Sequence, residues 1–213
     1  MKNKIIIDIY SDNICPWCYI GIKILQTAIS EFSSIEFVLT WRPFQLNPEM
    51  PIEGMERNKY LDHKFNGRKN AKKTYELIVK TGLKNNIYFQ FEKITITPNS
   101  FASHKLLALA HRYNKQTEIV ETLFYDYFIE GLNIGNLDEL IRIAKHHNMY
   151  DKNTLEYLQS DEDKDNLLAE EVYARQLGVT GVPCFIIDKE IVLFGAQDKK
   201  IFTDIFNTFS NDK

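Results

Sequence analysis

The spacing of apolar positions changes along this chain, and each change marks an element. The stretch from Ile5 to Tyr10 is a short β-branched run that ends at Ser11-Asp12-Asn13. Its brevity and its turn-forming boundary predict a buried strand rather than a helix. After Cys15-Pro16-Trp17-Cys18, the residues Ile20, Ile24, Leu25, Ala28, Ile29 and Phe32 recur at helical intervals. Pro16 then falls in the first turn of that helix, where its missing N–H leaves no bond unmade. Ile35, Phe37, Leu39 and Trp41 alternate with Glu36, Val38 and Thr40, which is the period of a strand. The chain opens as strand, turn, helix, strand.

From Glu53 to about Glu171 the pattern is mainly helical, broken by Asn, Gly and Pro. Phe101, Leu106, Leu107 and Leu109-Ala110 form one helical face, with Pro98-Asn99-Ser100 as its start signal. The segments 122–129, 137–144 and 155–158 predict further helices, and 85–96, where Ile87, Phe89 and Phe91 alternate, predicts a short extended connection. There is no repeat, low-complexity run or linker, so the middle is expected to pack onto its host rather than hang from it. The end regains β character. A helical run over 165–177 stops at Gly178, a C-cap residue. Residues 182–187 read as a strand, Asp188-Lys189 as a hairpin turn and 191–194 as its partner. Ile201, Phe202, Ile205, Phe206 and Phe209 then form a final amphipathic helix. Without the middle, the order is β-α-β … α-β-β-α. That order predicts an α/β chain of thioredoxin-like fold, formed by 1–48 and 166–213, with a large α-helical insertion over 49–165.

Composition narrows the function classes. The chain has 213 residues, 44% hydrophobic and 13% aromatic, with a net charge of -3. That is ample for a packed core and gives no electrostatic basis for nucleic-acid binding. No segment approaches the ~20 apolar residues of a membrane span. The basic-then-apolar start is interrupted by Asp8, short of the roughly 7–15 apolar residues of a signal-peptide core. The expectation is a cytoplasmic protein, monomer or homodimer, whose thiols spend much of their time reduced.

The three cysteines are Cys15, Cys18 and Cys184, too few for a disulfide-stapled scaffold. Cys15 precedes a helix start, where unsatisfied N–H groups and the positive end of the helix dipole face its sulfur. In C-x-x-C proteins this lowers the thiol pKa to roughly 3.5–7, so that thiolate, the reactive form, predominates at neutral pH. Cys18 lies one turn on, close enough to close a disulfide. Cys15 is therefore the expected nucleophile and Cys18 the resolving thiol. A zinc site would need two further ligands, and His63, His104, His111, His146 and His147 supply no zinc-module spacing. No metal is expected. A purely structural disulfide would close too short a loop to stabilise much. Pro16 and Trp17, between the cysteines, are placed to meet a substrate, although Trp17 serves equally to pack on the turn.

Thr180-Gly181-Val182-Pro183 precedes the third strand. Proline within a sheet is confined to edges and special sites, and in this element order a cis-Pro183 would face the active-site turn. The Val182 backbone would then be free to pair with an extended substrate segment.

Ser11-Asp12-x-x-Cys15-Pro16-Trp17-Cys18-Tyr19-Ile20-Gly21, Trp41-Arg42-Pro43-Phe44-Gln45-Leu46-Asn47-Pro48, Glu53-Gly54-Met55, Gly178-Val179-Thr180-Gly181-Val182-Pro183 and Gly195-Ala196-Gln197 together resemble the FrnE branch of the DsbA-like oxidoreductases. Pro98-Asn99-Ser100 and the stretch 124–135 also resemble it. The resemblance spans nearly the whole chain and implies a thioredoxin domain with a helical insertion, a redox-active Cys15–Cys18 pair and a cis-Pro183. It implies no resident cofactor, with glutathione as a candidate co-substrate, and partners that are thiol or disulfide proteins or low-molecular-weight thiols. Related branches, the kappa-class glutathione transferases and 2-hydroxychromene-2-carboxylate isomerases, generally carry serine at the position of Cys15 and Asp at that of Gln197. A glutathione-dependent isomerase or transferase therefore stands as the alternative function, and a non-catalytic chaperone-like module as a third.

Cys184 departs from the family, which more often has an aromatic or aliphatic residue there. It reads as a small buried hydrophobe or as a third thiol near the active site. Asn99 reads as a helix-start residue, His104 as a satisfied helix histidine, and the charges over 161–165 as a solvated face at a helix N-terminus. The stretch 42–48 serves equally as a groove lining or as the bridge into the insertion.

Overall fold

The computed structural model describes residues 3–211. Strand β1 (Asn3–Ser11) lies inside a four-stranded sheet of order β2-β1-β5-β6. Its Ile5, Ile7 and Ile9 are fully buried on one face; on the other, Tyr10 is buried while Ile6 is exposed. Helix α1 (Pro16–Ile29) carries the chain back to β2 (Ile35–Pro43), which pairs parallel to β1 with Ile9 opposite Trp41 and Ser11 opposite Pro43.

The chain then leaves the sheet through β3 (Met55–Glu56), α2 (Arg57–Phe65), α3 (Arg68–Lys84), a tight helical turn at Phe91–Lys93 and β4 (Ile96–Thr97). Next come α4 (Phe101–Arg112), α5 (Gln116–Tyr125), α6 (Leu137–His146) and α7 (Lys152–Gln159). It returns through α8 (Lys164–Gln176), β5 (Cys184–Ile187), β6 (Ile191–Phe194) and α9 (Lys199–Asn211). The fold is α/β and thioredoxin-like with a helical insertion. The expected helix over 122–129 is the end of α5 followed by a widened turn at Asp126–Glu130. The insertion is not purely helical: β3 and β4 pair antiparallel, Met55 with Thr97 and Glu56 with Ile96. Strands of two residues are too short to leave a period in the sequence.

Local signals set the ends. Gly178 has φ 86°, and the N–H groups of Gly178 and Val179 donate to Arg175 and Ala174, a Schellman-type stop for α8. Asp188 and Lys189 both have positive φ, the geometry of a tight hairpin turn. The Asp188 carboxylate accepts the Ile6 N–H at 2.7 Å and so extends the ladder.

The insertion is fused to the host by aromatic packing. Tyr19 of α1 stacks on Phe124 at 5.1 Å and meets Phe89 edge-on at 6.0 Å. The open edge of β2 is closed by one side chain: the Gln116 amide accepts from the Trp41 N–H and donates to the Trp41 carbonyl, each at 3.2 Å. A strand edge left bare would expose unpaired groups, and here a side-chain amide stands in for the missing strand. On the far face of the sheet a smaller cluster holds Tyr10, Phe44, Ala174, Val179 and Cys184.

Candidate active site

Cys15 sits where β1 hands over to α1. Its backbone is extended (φ -95°, ψ 112°) at the N-cap of α1, with Pro16 in the first helical position. The Cys15 N–H donates to the Asp12 carbonyl at 3.0 Å, and the Cys15 carbonyl accepts from Cys18 and Tyr19. Cys15 therefore directly precedes N–H groups that have no partner within the helix, although its side chain makes no capping hydrogen bond. Facing it is the Val182–Pro183 peptide, which is cis. The Cys15 Sγ donates toward the Val182 carbonyl at 3.7 Å. This approach depends on Gly21: a Cβ there would sit 3.0 Å from Pro183 Cγ and 3.3 Å from Phe185 Cζ. Both thiols are free, and Cys15 is almost as buried as Cys18, at 3% and 0% exposure. Cys18 is the less exposed of the two, and the Val182 carbonyl lies against Cys15. The Cys18 thiol is pushed well above the ordinary range by burial and then by the neighbouring Cys15.

Beneath this turn lies a polar group that the sequence pattern does not reveal. Asp12 is fully buried. Its carboxylate accepts the backbone N–H of Leu46 at 2.7 Å and of Ile14 at 3.3 Å, and one oxygen stands 3.8 Å from His104 Nε2 of α4. Burial raises Asp12 to about 6 and lowers His104 to about 4. Asn13 donates to Ser103 at 2.8 Å, and Ser103 donates to the Ser100 carbonyl. Asn99 accepts from the Phe101 N–H at 2.9 Å and from Gln45 at 3.1 Å, and donates to the Met50 carbonyl. Through these bonds the active-site loop, the exit from β2 and the start of α4 form one network.

The insertion also reaches the cysteines from the other side. Tyr75 of α3 is raised by burial, lowered by Arg57, and raised further by charge on Cys15. Arg57, itself buried, donates to the Tyr75 hydroxyl and to Thr97 Oγ1.

Residues 6–207 match the family model of a DSBA-like thioredoxin domain. The chain belongs to this family. It is 26% identical over 199 residues to YwbO, an uncharacterised protein of Bacillus subtilis, covering 92% of each chain. Its fold is similar to that of a probable DsbA oxidoreductase, SCO1869 from Streptomyces coelicolor, with TM-score 0.86, 22% identity and coverage of 98% and 91%. It is also similar to the cytosolic disulfide reductase DsbM from Pseudomonas aeruginosa, solved with GSH, with TM-score 0.67, 13% identity and coverage of 95% and 98%. At these identities the two solved structures speak to the fold.

In this DsbA-like chain the structure brings together Cys15, Pro16, Trp17, Cys18, Val182 and Pro183. Pro16, Trp17 and Val182 are partly buried around the turn, and Trp17 and Val182 pack against the core. Cys184 is not part of the group. It is fully buried in the cluster on the far face of the sheet, and burial pushes its thiol up to about 11. The reading of Cys184 as a third active-site thiol therefore fails, because successive strand residues face opposite sides. His104 is buried in α4 and only half satisfied: its ring bonds the Phe44 backbone, whereas Nε2 has no hydrogen-bond partner among the described residues. Arg42 turns away from the cysteines to Asp8 at 2.9 Å and Glu170 at 3.4 Å. It lines a cleft of about 580 Å³ between β2, α4 and α8 that Cys15 does not line. Of the stretch 42–48, the Leu46 backbone is what touches the active-site loop. Tyr75 and Arg57 escaped the sequence reading, and Asp12 entered it only as a strand boundary and as part of the motif that carries the family resemblance.

Proposed function

We propose that this DsbA-like protein is a thiol–disulfide oxidoreductase of the FrnE branch, in which Cys15 attacks a disulfide and Cys18 resolves the product. The observation that carries the reading is the asymmetry of the pair. Cys15 caps a helix N-terminus beside the Val182–Pro183 peptide, whereas Cys18 is buried one turn on and held as a thiol. The Cys15 thiolate attacks one sulfur of R–S–S–R′, forming a Cys15–S–S–R mixed disulfide and releasing R′S⁻. Cys18 then loses its proton and attacks Cys15 Sγ. The Cys15–Cys18 disulfide forms and RS⁻ leaves, so two electrons have passed from the dithiol to the substrate. Pro16, Trp17 and the Val182 backbone contact the substrate, and Pro183 holds that segment against the turn. The partners are thiol or disulfide proteins or low-molecular-weight thiols such as glutathione. The protein works in the cytoplasm, where reduction and isomerisation outweigh bulk oxidation.

Equilibration in glutathione redox buffers tests this. Wild type gives a single two-electron transition between dithiol and Cys15–Cys18 disulfide, and Cys18→Ser instead accumulates a Cys15 mixed disulfide. A pair that does not cycle, or a Cys18→Ser variant retaining full disulfide exchange, rejects the reading; the latter result favours glutathione-dependent transfer.

A further inference from the structure

We propose that the Ser11 hydroxyl is a catalytic donor to Cys18, stabilising the thiolate that forms on the resolving sulfur and so setting the rate of resolution. The inference rests on the Cys15–Cys18 reading above and assigns a group to its second step.

Ser11 breaks a pattern. Ile5, Ile7 and Ile9 line the face of β1 that packs under α1, and Ser11 is the next residue on that face. A fourth apolar side chain would complete the stripe, yet the position carries a hydroxyl at 3% exposure. Its Oγ has no hydrogen-bond partner of ordinary geometry among the described residues. An unmade buried bond costs free energy, so an orphaned hydroxyl calls for an explanation. The group within its reach is the Cys18 sulfur, which the Asp12 backbone N–H also approaches.

The chemistry of sulfur explains why the donor is idle in the dithiol. A protonated thiol is a weak acceptor, and the neighbouring Cys15 favours the neutral form of Cys18. A thiolate, by contrast, takes a charge-assisted bond of roughly twice the strength. The Ser11 bond is thus made fully only when Cys18 is charged, as it is on the way to resolution. Stabilisation that appears with the developing charge accelerates the step, whereas an equal bond in the ground state would not. In the reverse direction, when an incoming thiolate attacks Cys15 of the disulfide, the same hydroxyl meets Cys18 as the leaving group.

The titratable groups around Cys18 are Cys15 on its own helix, the Asp12 carboxyl with His104 of α4 beneath the loop, and Tyr75 of α3 on the Cys15 side. Val182 and Pro183 add no charge. In the mixed disulfide Cys15 carries no charge either, which leaves burial opposing Cys18 ionisation and the Ser11 hydroxyl and Asp12 N–H favouring it.

Rapid mixing of reduced protein with glutathione disulfide, acid quench and mass spectrometry follow the Cys15–glutathione adduct as it forms and collapses. In Ser11→Ala the adduct collapses about threefold more slowly at neutral pH, because an about tenfold smaller thiolate fraction is partly offset by the greater nucleophilicity of the more basic thiolate. The pH profile of collapse moves up by about one unit, while alkylation of Cys15 keeps its wild-type rate. Ser11→Thr, which retains the hydroxyl, restores fast collapse. A wild-type collapse profile in Ser11→Ala overturns the assignment. So does an equal slowing of Cys15 alkylation, which marks general damage to the loop. A wild-type protein that forms no Cys15 adduct at all sinks the underlying function instead, and is told apart by the absence of the intermediate.

Discussion

Replacing Asp12 with Asn makes stability depend on pH in a range where the native chain cancels that dependence. The two buried groups pull in opposite directions. Asp12 stands at about 6 in the folded protein against an ordinary 3.8. The stability it contributes is complete below 3.8 and is lost as pH rises through 6, about 3 kcal/mol in all at about 1.4 kcal/mol per pH unit. His104 stands at about 4 against an ordinary 6.5. Its contribution is complete above 6.5 and is lost as pH falls through 4, again about 3 kcal/mol. Between those limits the folded protein holds one proton on Asp12 and none on His104, and the unfolded chain holds the reverse. The proton counts match, so the two slopes cancel. Passing the proton from Asp12 to His104, 3.8 Å away, leaves the count unchanged. Asp12→Asn removes one slope and uncovers the other. The variant then loses about 2–3 kcal/mol relative to wild type as pH falls from 6.5 to near 4. It also loses about 1–3 kcal/mol at every pH, because an amide cannot replace the carboxylate as acceptor for both Leu46 and Ile14. Glu171, raised by burial and close enough to feel Asp12, titrates in both proteins. Urea unfolding at a series of pH values, with a constant m-value, measures the difference. The slope is the test, and parallel stability curves for the two proteins would refute the upward displacement of Asp12 by burial.

Two further substitutions probe the surroundings. Gly21→Ala gains about 1 kcal/mol of helix propensity but places a methyl 3.0 Å from Pro183 and 3.3 Å from Phe185. Overpacking costs about 1–3 kcal/mol, so a net loss of about 1 kcal/mol in denaturant titration is expected, with slower glutathione exchange as Pro183 is pushed from Cys15. A variant that is more stable and equally fast would show that the contact yields freely. Cys184→Ala leaves exchange rates unchanged and costs about 1 kcal/mol of stability through the small cavity left. In the wild type Cys184 is alkylated more slowly than Cys15, and a large rate loss on its removal would return it to the site.

The legible features were short in range. A short β-branched run with a turn boundary placed Ile5 to Tyr10 in a strand, alternation placed Ile35 to Trp41 in the next, helical spacing placed Ile20 to Ile29 behind the cysteines, and Gly178 and Asp188-Lys189 ended their elements where the pattern said. Pro16 after Cys15 located the helix start. Each of these depends on backbone preferences and side-chain periods within a few residues, which are written locally.

Burial and long-range partnership were decided only in three dimensions. The Ser-Asp-Asn that closes β1 looked like turn chemistry, yet packing α4 against the loop took Asp12 out of water and set it beside His104. Strand alternation put Cys184 on the far face of the sheet, and the Val182 carbonyl covered Cys15. Docking of the insertion brought Tyr75 and Arg57 toward the same sulfur. A charge's environment is the sum of everything folded around it, and desolvation acts through neighbours that lie far away in the chain. The sequence alone determined the element order and the dithiol at a helix start. Tertiary packing decided which groups around that dithiol are dry, and therefore how each one titrates.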